Sequence, residues 1–158
     1  MIYAFLSRLL RDCSGFGAME LGLSSPFLFL LSLGMIDASL MVGTKIDHEL
    51  AAQRTTDFAL AKRPGSGDAA YLVDEAASIS GVEKDDVSVE IYRTCDGIKA
   101  DKFEGVCTAG QTTARYVSVA ISKAIPTKFD WSALAGTLGI RVFEGAIVVT
   151  GDSVVRFQ

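Results

Sequence analysis

From Phe16 to Ile36 the chain carries a single charged residue, Glu20. A helix over this stretch is about 30 Å long at roughly 1.5 Å per residue, enough to cross the hydrocarbon core of a bilayer. Arg8 and Arg11 precede the run and Asp37 closes it. Basic residues stay on the cytoplasmic side, which puts the N-terminus inside and the C-terminal part outside. Lys45 and Arg54 weaken that asymmetry, but they stand among Asp37, Asp47 and Glu49. Two other readings fit less well. A cleaved secretory signal has a shorter apolar core and a better small-residue site than Ala38-Ser39. A helix buried in a soluble core rarely has this length with so little charge.

The remainder reads as an ordinary globular sequence. The chain has 158 residues and a net charge of -4, so it has room for one modest domain plus an anchor and shows no basic face for nucleic acid. His48 is the only histidine, which leaves no Ser/His/Asp set. A GxSxG elbow, a phosphate-binding loop, a dinucleotide fingerprint and a metal cluster are also missing from the sequence, so no enzyme activity and no cofactor are expected. The cysteines fall on two sides of the apolar run: Cys13 before it, Cys95 and Cys107 after it. If the run crosses a membrane, Cys95 and Cys107 share the oxidising side and are free to pair, while Cys13 stays reduced.

Glu20 is the informative residue. An acidic side chain at the centre of a bilayer helix costs on the order of 2.5–3.5 kcal/mol, and less near its end. Ionisable residues inside a membrane tend to mark function, although a carboxylate that merely reaches the interface is the plainer explanation of one taken alone. Its surroundings add to it. The order is Arg11-Asp12-Cys13-Ser14-Gly15, then Phe16-Gly17-Ala18-Met19-Glu20, then an apolar helix containing Pro26. This resembles the class III (type IV) prepilin signal, a short polar leader ending in glycine with a carboxylate at the fifth mature position. More narrowly it resembles the TadE-like family of pseudopilins in tight-adherence (Tad/Flp) pilus systems. The residues that carry the resemblance are Arg11, Asp12, Gly15, Ala18, Glu20, Leu23, Pro26, the run 27–33, Gly34 and Asp37. Leu21 stands where an aromatic residue often follows the glutamate. Gly17 offers a second glycine, but Gly15 is the one that places Glu20 fifth.

The resemblance implies that a prepilin peptidase cuts between Gly15 and Phe16, exposing the Phe16 amine at the membrane interface. It also implies that Glu20 pairs with the new N-terminal amine of a neighbouring subunit and so sets the register of assembly. Such a pair offsets the desolvation of both ions, and leaving either alone is heavily unfavourable. Gly17, Ala18 and Gly22, with Ser24 and Ser25, allow close approach of helices. Pro26 removes a backbone donor and is expected to kink or loosen the helix locally. The implied partners are the peptidase, other pilin-like subunits with the Tad assembly machinery, and membrane lipid. The implied location is a bacterial inner membrane, with the C-terminal domain periplasmic or carried into a pilus.

Beyond the run, Ile46, Leu50, Ala51, Phe58 and Ala61 form a loose apolar stripe, so the helix is expected to continue to Lys62 with His48 exposed on it. Pro64-Gly65-Ser66-Gly67 breaks the chain. Asp68 is a candidate N-cap for a helix over 69–80, with Leu72, Ala76 and Ile79 on one face and Gly81 as its stop. Asp74 and Glu75 point apart on that helix and belong to a solvated face. Alternation then predicts strands at Val87/Val89/Ile91, at Val117/Val119/Ile121, and from Ile147 to Phe157 with a bend at Gly151-Asp152. Cys95 and Cys107 bracket a Gly-rich, charged loop, where a disulfide contributes roughly 3 kcal/mol in the chain-entropy model. Phe129, Trp131 and Leu134 lie in the link before the last strand, as a cap on the sheet or a face for a neighbour.

The expected organisation is therefore a leader over 1–15, a transmembrane and extended helix over 16–62, and an extracytoplasmic domain over 68–158. The expected class is α+β, one helix packed on three or four antiparallel strands in a pilin-like arrangement. The competing function is that of an unprocessed single-pass anchor for a periplasmic binding or complex subunit.

Overall fold

The computed structural model describes residues 16–100, 102–137, 139–140 and 146–158, without the side chains of Phe16 and Ala18. Its elements are α1 (Phe16–Ala61), α2 (Ala70–Ser80), a 3-10 turn (Lys84–Asp86), β1 (Val87–Cys95), β2 (Ile98–Lys99), β3 (Thr113–Ile125), α3 (Trp131–Thr137) and β4 (Ile147–Arg156). The class is α+β: a long apolar N-terminal helix followed by a small domain built on a four-stranded antiparallel sheet of order β2-β1-β3-β4. The chain divides into two compact units, one ending at Ser39 and the other Leu40–Gln158.

In the second unit one face of the sheet is covered and the other is open. Val87, Val117, Val119 and Ile121 are buried beneath Leu72 and Ala76 of α2 and beneath Ala51, Ala52 and Ala59 of α1. The residues of α1 that meet the sheet are mostly small, and the expected stripe holds in part: Ala51 is in the core and Phe58 packs against it, but Ile46, Leu50 and Ala61 are exposed. His48, Ala51, Ala52, Thr55, Thr56 and Ala59 are buried. Small side chains let a helix backbone come close to a strand, and here it comes very close. A Cβ added to Gly151 of β4 falls 2.4 Å from the backbone of His48 and Glu49. β4 runs through Gly151-Asp152 without a bulge, since β3 and β4 stay in register from Tyr116↔Arg156 to Ile125↔Ile147. Gly151 serves the approach of the helix.

His48 is a second correction. The expectation was an exposed residue, but His48 is 3% exposed and neither ring nitrogen has a hydrogen-bond partner. It is carried under Gly151 by the same close packing. Around it Lys45 Nζ donates to the Thr150 carbonyl at 3.1 Å, and Thr56 Oγ1 meets Ser153 Oγ at 3.0 Å.

The local signals for α2 and the sheet are clear. Gly81 ends α2 at φ +67°, the left-handed cap that glycine adopts freely. Asp68 acts one step before the formal cap: its carboxylate accepts the Ala70 amide at 3.0 Å. Asp74 is exposed and pairs with Lys84 at 2.6 Å. Asp96 and Gly97, at φ +51° and +83°, form the two-residue turn between β1 and β2. Cys95 and Cys107 are bonded as a disulfide. The loop they close folds Phe103 onto the sheet, where its ring lies 6.3 Å from that of Phe157. Beneath this loop Arg93 and Arg115 stand directly opposite each other on β1 and β3. Arg93 is buried with Nε and Nη1 unpartnered, and Arg115 lies over the Phe103 ring at 5.0 Å.

Candidate functional site

From Met19 to Ile36 α1 is apolar apart from Glu20 and three serines, and Asp37 just beyond is buried. Met19, Leu21, Leu23, Phe27, Leu28, Phe29, Leu31 and Met35 are all exposed. A helix belonging to a soluble core would have such side chains covered. This helix is near the N-terminus and is long and apolar enough to span a membrane. Several of its hydroxyls are satisfied from within. Ser24, Ser32 and Thr44 each donate to the carbonyl four residues back, at 2.8, 2.8 and 3.0 Å. In a hydrocarbon environment, where water is absent, that internal satisfaction removes the penalty of a bare hydroxyl.

Pro26 is accommodated inside α1 rather than ending it. A proline there deprives the Gly22 carbonyl of its usual amide donor. The Ser25 hydroxyl donates to that same carbonyl at 3.2 Å, so the freed acceptor is not left bare. Gly22 thus has two neighbours that matter, the proline above and the serine beside it.

Glu20 is exposed and lies near the start of this helix. Its backbone carbonyl is engaged by Ser24. No ion pair to its carboxylate occurs among the described residues. Among the described residues a Cβ at Gly17 or at Gly22 meets nothing within 4 Å, so packing against them requires neither glycine. Gly15 and Cys13 lie outside the described residues, as do the side chains of Phe16 and Ala18. Gly17, Glu20, Gly22 and Pro26 thus fall on one stretch of less than three turns, while the Cys95–Cys107 disulfide belongs to the second unit.

A pocket of about 260 Å³ between α1 and α2 is lined by Asp47, Leu50, Ala51, Arg54, Ile79 and Ser80. The Ser80 hydroxyl is committed to the Ala76 carbonyl at 2.6 Å. No group of three or more His, Cys, Asp or Glu side chains comes together among the described residues. Sequence reasoning placed His48 on an exposed face, read Gly151 only as a bend, and passed over the Arg93–Arg115 pair. For Gly151 a signal existed: an isolated glycine inside an alternating strand marks either a bulge or a close backbone approach. No protein-family model, curated protein or solved structure matches the chain.

Proposed function

We propose that this chain is a minor pilin-like subunit that serves the assembly of a Tad/Flp-type pilus and is processed after Gly15 by a prepilin peptidase. The observation that carries the reading is Glu20: a carboxylate on a helix whose surroundings are otherwise apolar and exposed, five residues after Gly15. A lone carboxylate on such a helix is unfavourable in lipid and calls for a positive partner. Cleavage at Gly15 creates one, the Phe16 amine of an adjacent subunit. Staggered docking then brings the two charges together, and the open surface at Gly17 and Gly22 gives the neighbouring helix room to approach. A disulfide-closed α+β domain following the helix suits the oxidising side of the membrane.

The test is the N-terminus of the mature protein in cells with and without prepilin peptidase. The expected result is a chain beginning at Phe16 in the first and at Met1 in the second. A chain beginning at Met1 in both overturns the reading and leaves an unprocessed membrane-anchored subunit. Glu20→Ala is expected to abolish pilus assembly while leaving membrane insertion intact. Assembly at the wild-type level would reduce Glu20 to a residue that only reaches for the interface.

A further inference from the structure

We infer that Arg93 and Arg115, where they emerge beside Gly105, bind a tetrahedral oxyanion of the phosphate or sulfate class.

The sheet brings the two arginines together. Arg93 of β1 and Arg115 of β3 are register partners. The Arg93 carbonyl accepts from the Ala100 amide, and the Arg115 amide donates to the Gln158 carbonyl. Their backbone bonds therefore point away from each other. That is the antiparallel pair in which the Cα atoms approach to about 4.5 Å and the side chains are closest. Like charges opposite one another in a sheet are destabilising, and these are also withdrawn from water. Arg93 is 8% exposed, with Nε and Nη1 buried and lacking an acceptor. Nε of Arg115 is in the same condition. A guanidinium does not shed its proton in a protein, so both charges persist.

No counterion answers them among the described residues. The ion pairs there are Lys45–Glu49, Lys84–Asp74 and Lys99–Glu90. Glu104, on the loop above, accepts the Gly67 amide at 3.1 Å and pairs with neither arginine. Arg115 Nη1 donates to Gln158 Oε1 at 2.8 Å, but that acceptor is neutral. The Phe103 ring, 5.0 Å from Arg115 Cζ, adds only a weak attraction. Buried cations without a counterion are heavily unfavourable, and a water molecule meets a donor without opposing its charge.

The point of entry is Nη2. In each guanidinium it is the nitrogen that is neither buried nor bonded among the described residues. Gly105, at φ +127°, lies over Arg93: a Cβ there would fall 3.1 Å from Nη1 and 3.6 Å from Nη2. With no side chain at 105, an anion reaches Nη2 unobstructed. The rest of each arginine is already held by packing, so little side-chain freedom is lost when the anion arrives. Two positive charges favour a dianion over a carboxylate, which balances only one. Phosphate and sulfate also offer several oxygens to donors on two sides.

The test uses the full chain in a nonionic detergent, dialysed into Tris chloride and shown free of bound anion by ion chromatography of denatured protein. The melting temperature is followed as inorganic phosphate, sulfate or acetate replaces chloride at constant ionic strength. Phosphate and sulfate are expected to raise it saturably, and acetate to leave it unmoved. At about ten times the dissociation constant the folded state is favoured about elevenfold, a rise of about 5 °C for a domain of this size. Arg93→Met is expected to lose the response and to melt in chloride no lower than wild type, because it removes an unbalanced buried charge and keeps a long side chain. Should that variant misfold, Arg115→Gln, at a half-buried position, is expected to weaken binding roughly tenfold or more. Phenyl phosphate identifies the source: a response equal to that of phosphate assigns the anion to a monoester on a larger molecule, and no response assigns it to the free ion. A melting temperature that phosphate and sulfate leave unmoved up to tens of millimolar overturns the site. So does an equal response to acetate, or a full response retained in the arginine variants.

Discussion

At Gly151 a methyl group has nowhere to go. The atoms it would meet at 2.4 Å are backbone atoms of His48 and Glu49, which cannot turn aside as a flexible side chain can. Gly151→Ala must push α1 away from β4, and the cost is expected to be about 3 kcal/mol or more, at the upper end of overpacking effects. Thermal unfolding of the variant checks it, and a melting temperature unchanged from wild type would mean that the helix and strand are not in contact. The same contact governs His48. Burial lowers its pKa, the nearby Lys123 lowers it further, and Asp47 and Asp86 act the other way. In the unfolded chain His48 titrates near its ordinary value of about 6.5. The unfolded state therefore binds the proton more readily, and stability is full above that pH and is lost as the pH falls below it. Since His48 is the only histidine, denaturant unfolding between about pH 7.5 and 5 reads this residue with little interference. The loss is expected in wild type and is expected to shrink in His48→Gln; an equal slope in both would remove His48 as its source.

Among the elements, those whose signal is local were legible, and those set by a distant partner were not. The alternation Val117, Val119, Ile121 marks β3 because those side chains fill one buried face. Gly81 marks the end of α2 because the left-handed conformation is local to it. The apolar helix was likewise legible from charge and hydropathy alone. By contrast, nothing near His48 in sequence says that Gly151 will cover it, and Ile46 and Leu50 misdirect by looking like the buried stripe. The helix α3 was missed because seven residues give too little periodicity to separate from a loop. The turn at Asp96-Gly97 was readable as a hairpin from its residues, but β2 after it has only two. What holds that hairpin and Phe103 in place is the Cys95–Cys107 bond. Removing it as the double variant Cys95→Ala/Cys107→Ala is expected to cost roughly 3 kcal/mol in the chain-entropy model. Limited proteolysis within 98–106 is expected to accelerate, since Phe103 loses the constraint that keeps it on Phe157. Cleavage at the wild-type rate would show that Phe103 and the turn suffice.

For the whole molecule the informative boundary falls inside α1 rather than after it. The core contains Ala51, Ala52 and Ala59 of α1 together with Leu72, Val117, Val119, Ile121 and Phe157, and none of its members precedes Ala51 among the described residues. The earlier part of the helix is long and apolar enough to span a membrane, and the later part is a structural member of the α+β domain. Two truncations separate these roles. A fragment covering 40–158 keeps every core residue and every contact to Gly151, so it is expected to fold, to unfold cooperatively, and to stay in solution without detergent. A fragment covering 63–158 retains all four strands and α2 but loses the helix that covers Gly151, Val119 and Ile121. Uncovering that face exposes several fully buried apolar side chains, each worth about 1.5–3 kcal/mol, against a total stability that for a domain of this size is only about 5–15 kcal/mol. The shorter fragment is therefore expected to lack a cooperative transition and to aggregate, and amide NMR dispersion distinguishes the two directly. A well-dispersed spectrum from 63–158 with the melting temperature of 40–158 would make α1 a pure anchor, and would remove the reason for the small residues along its sheet-facing side.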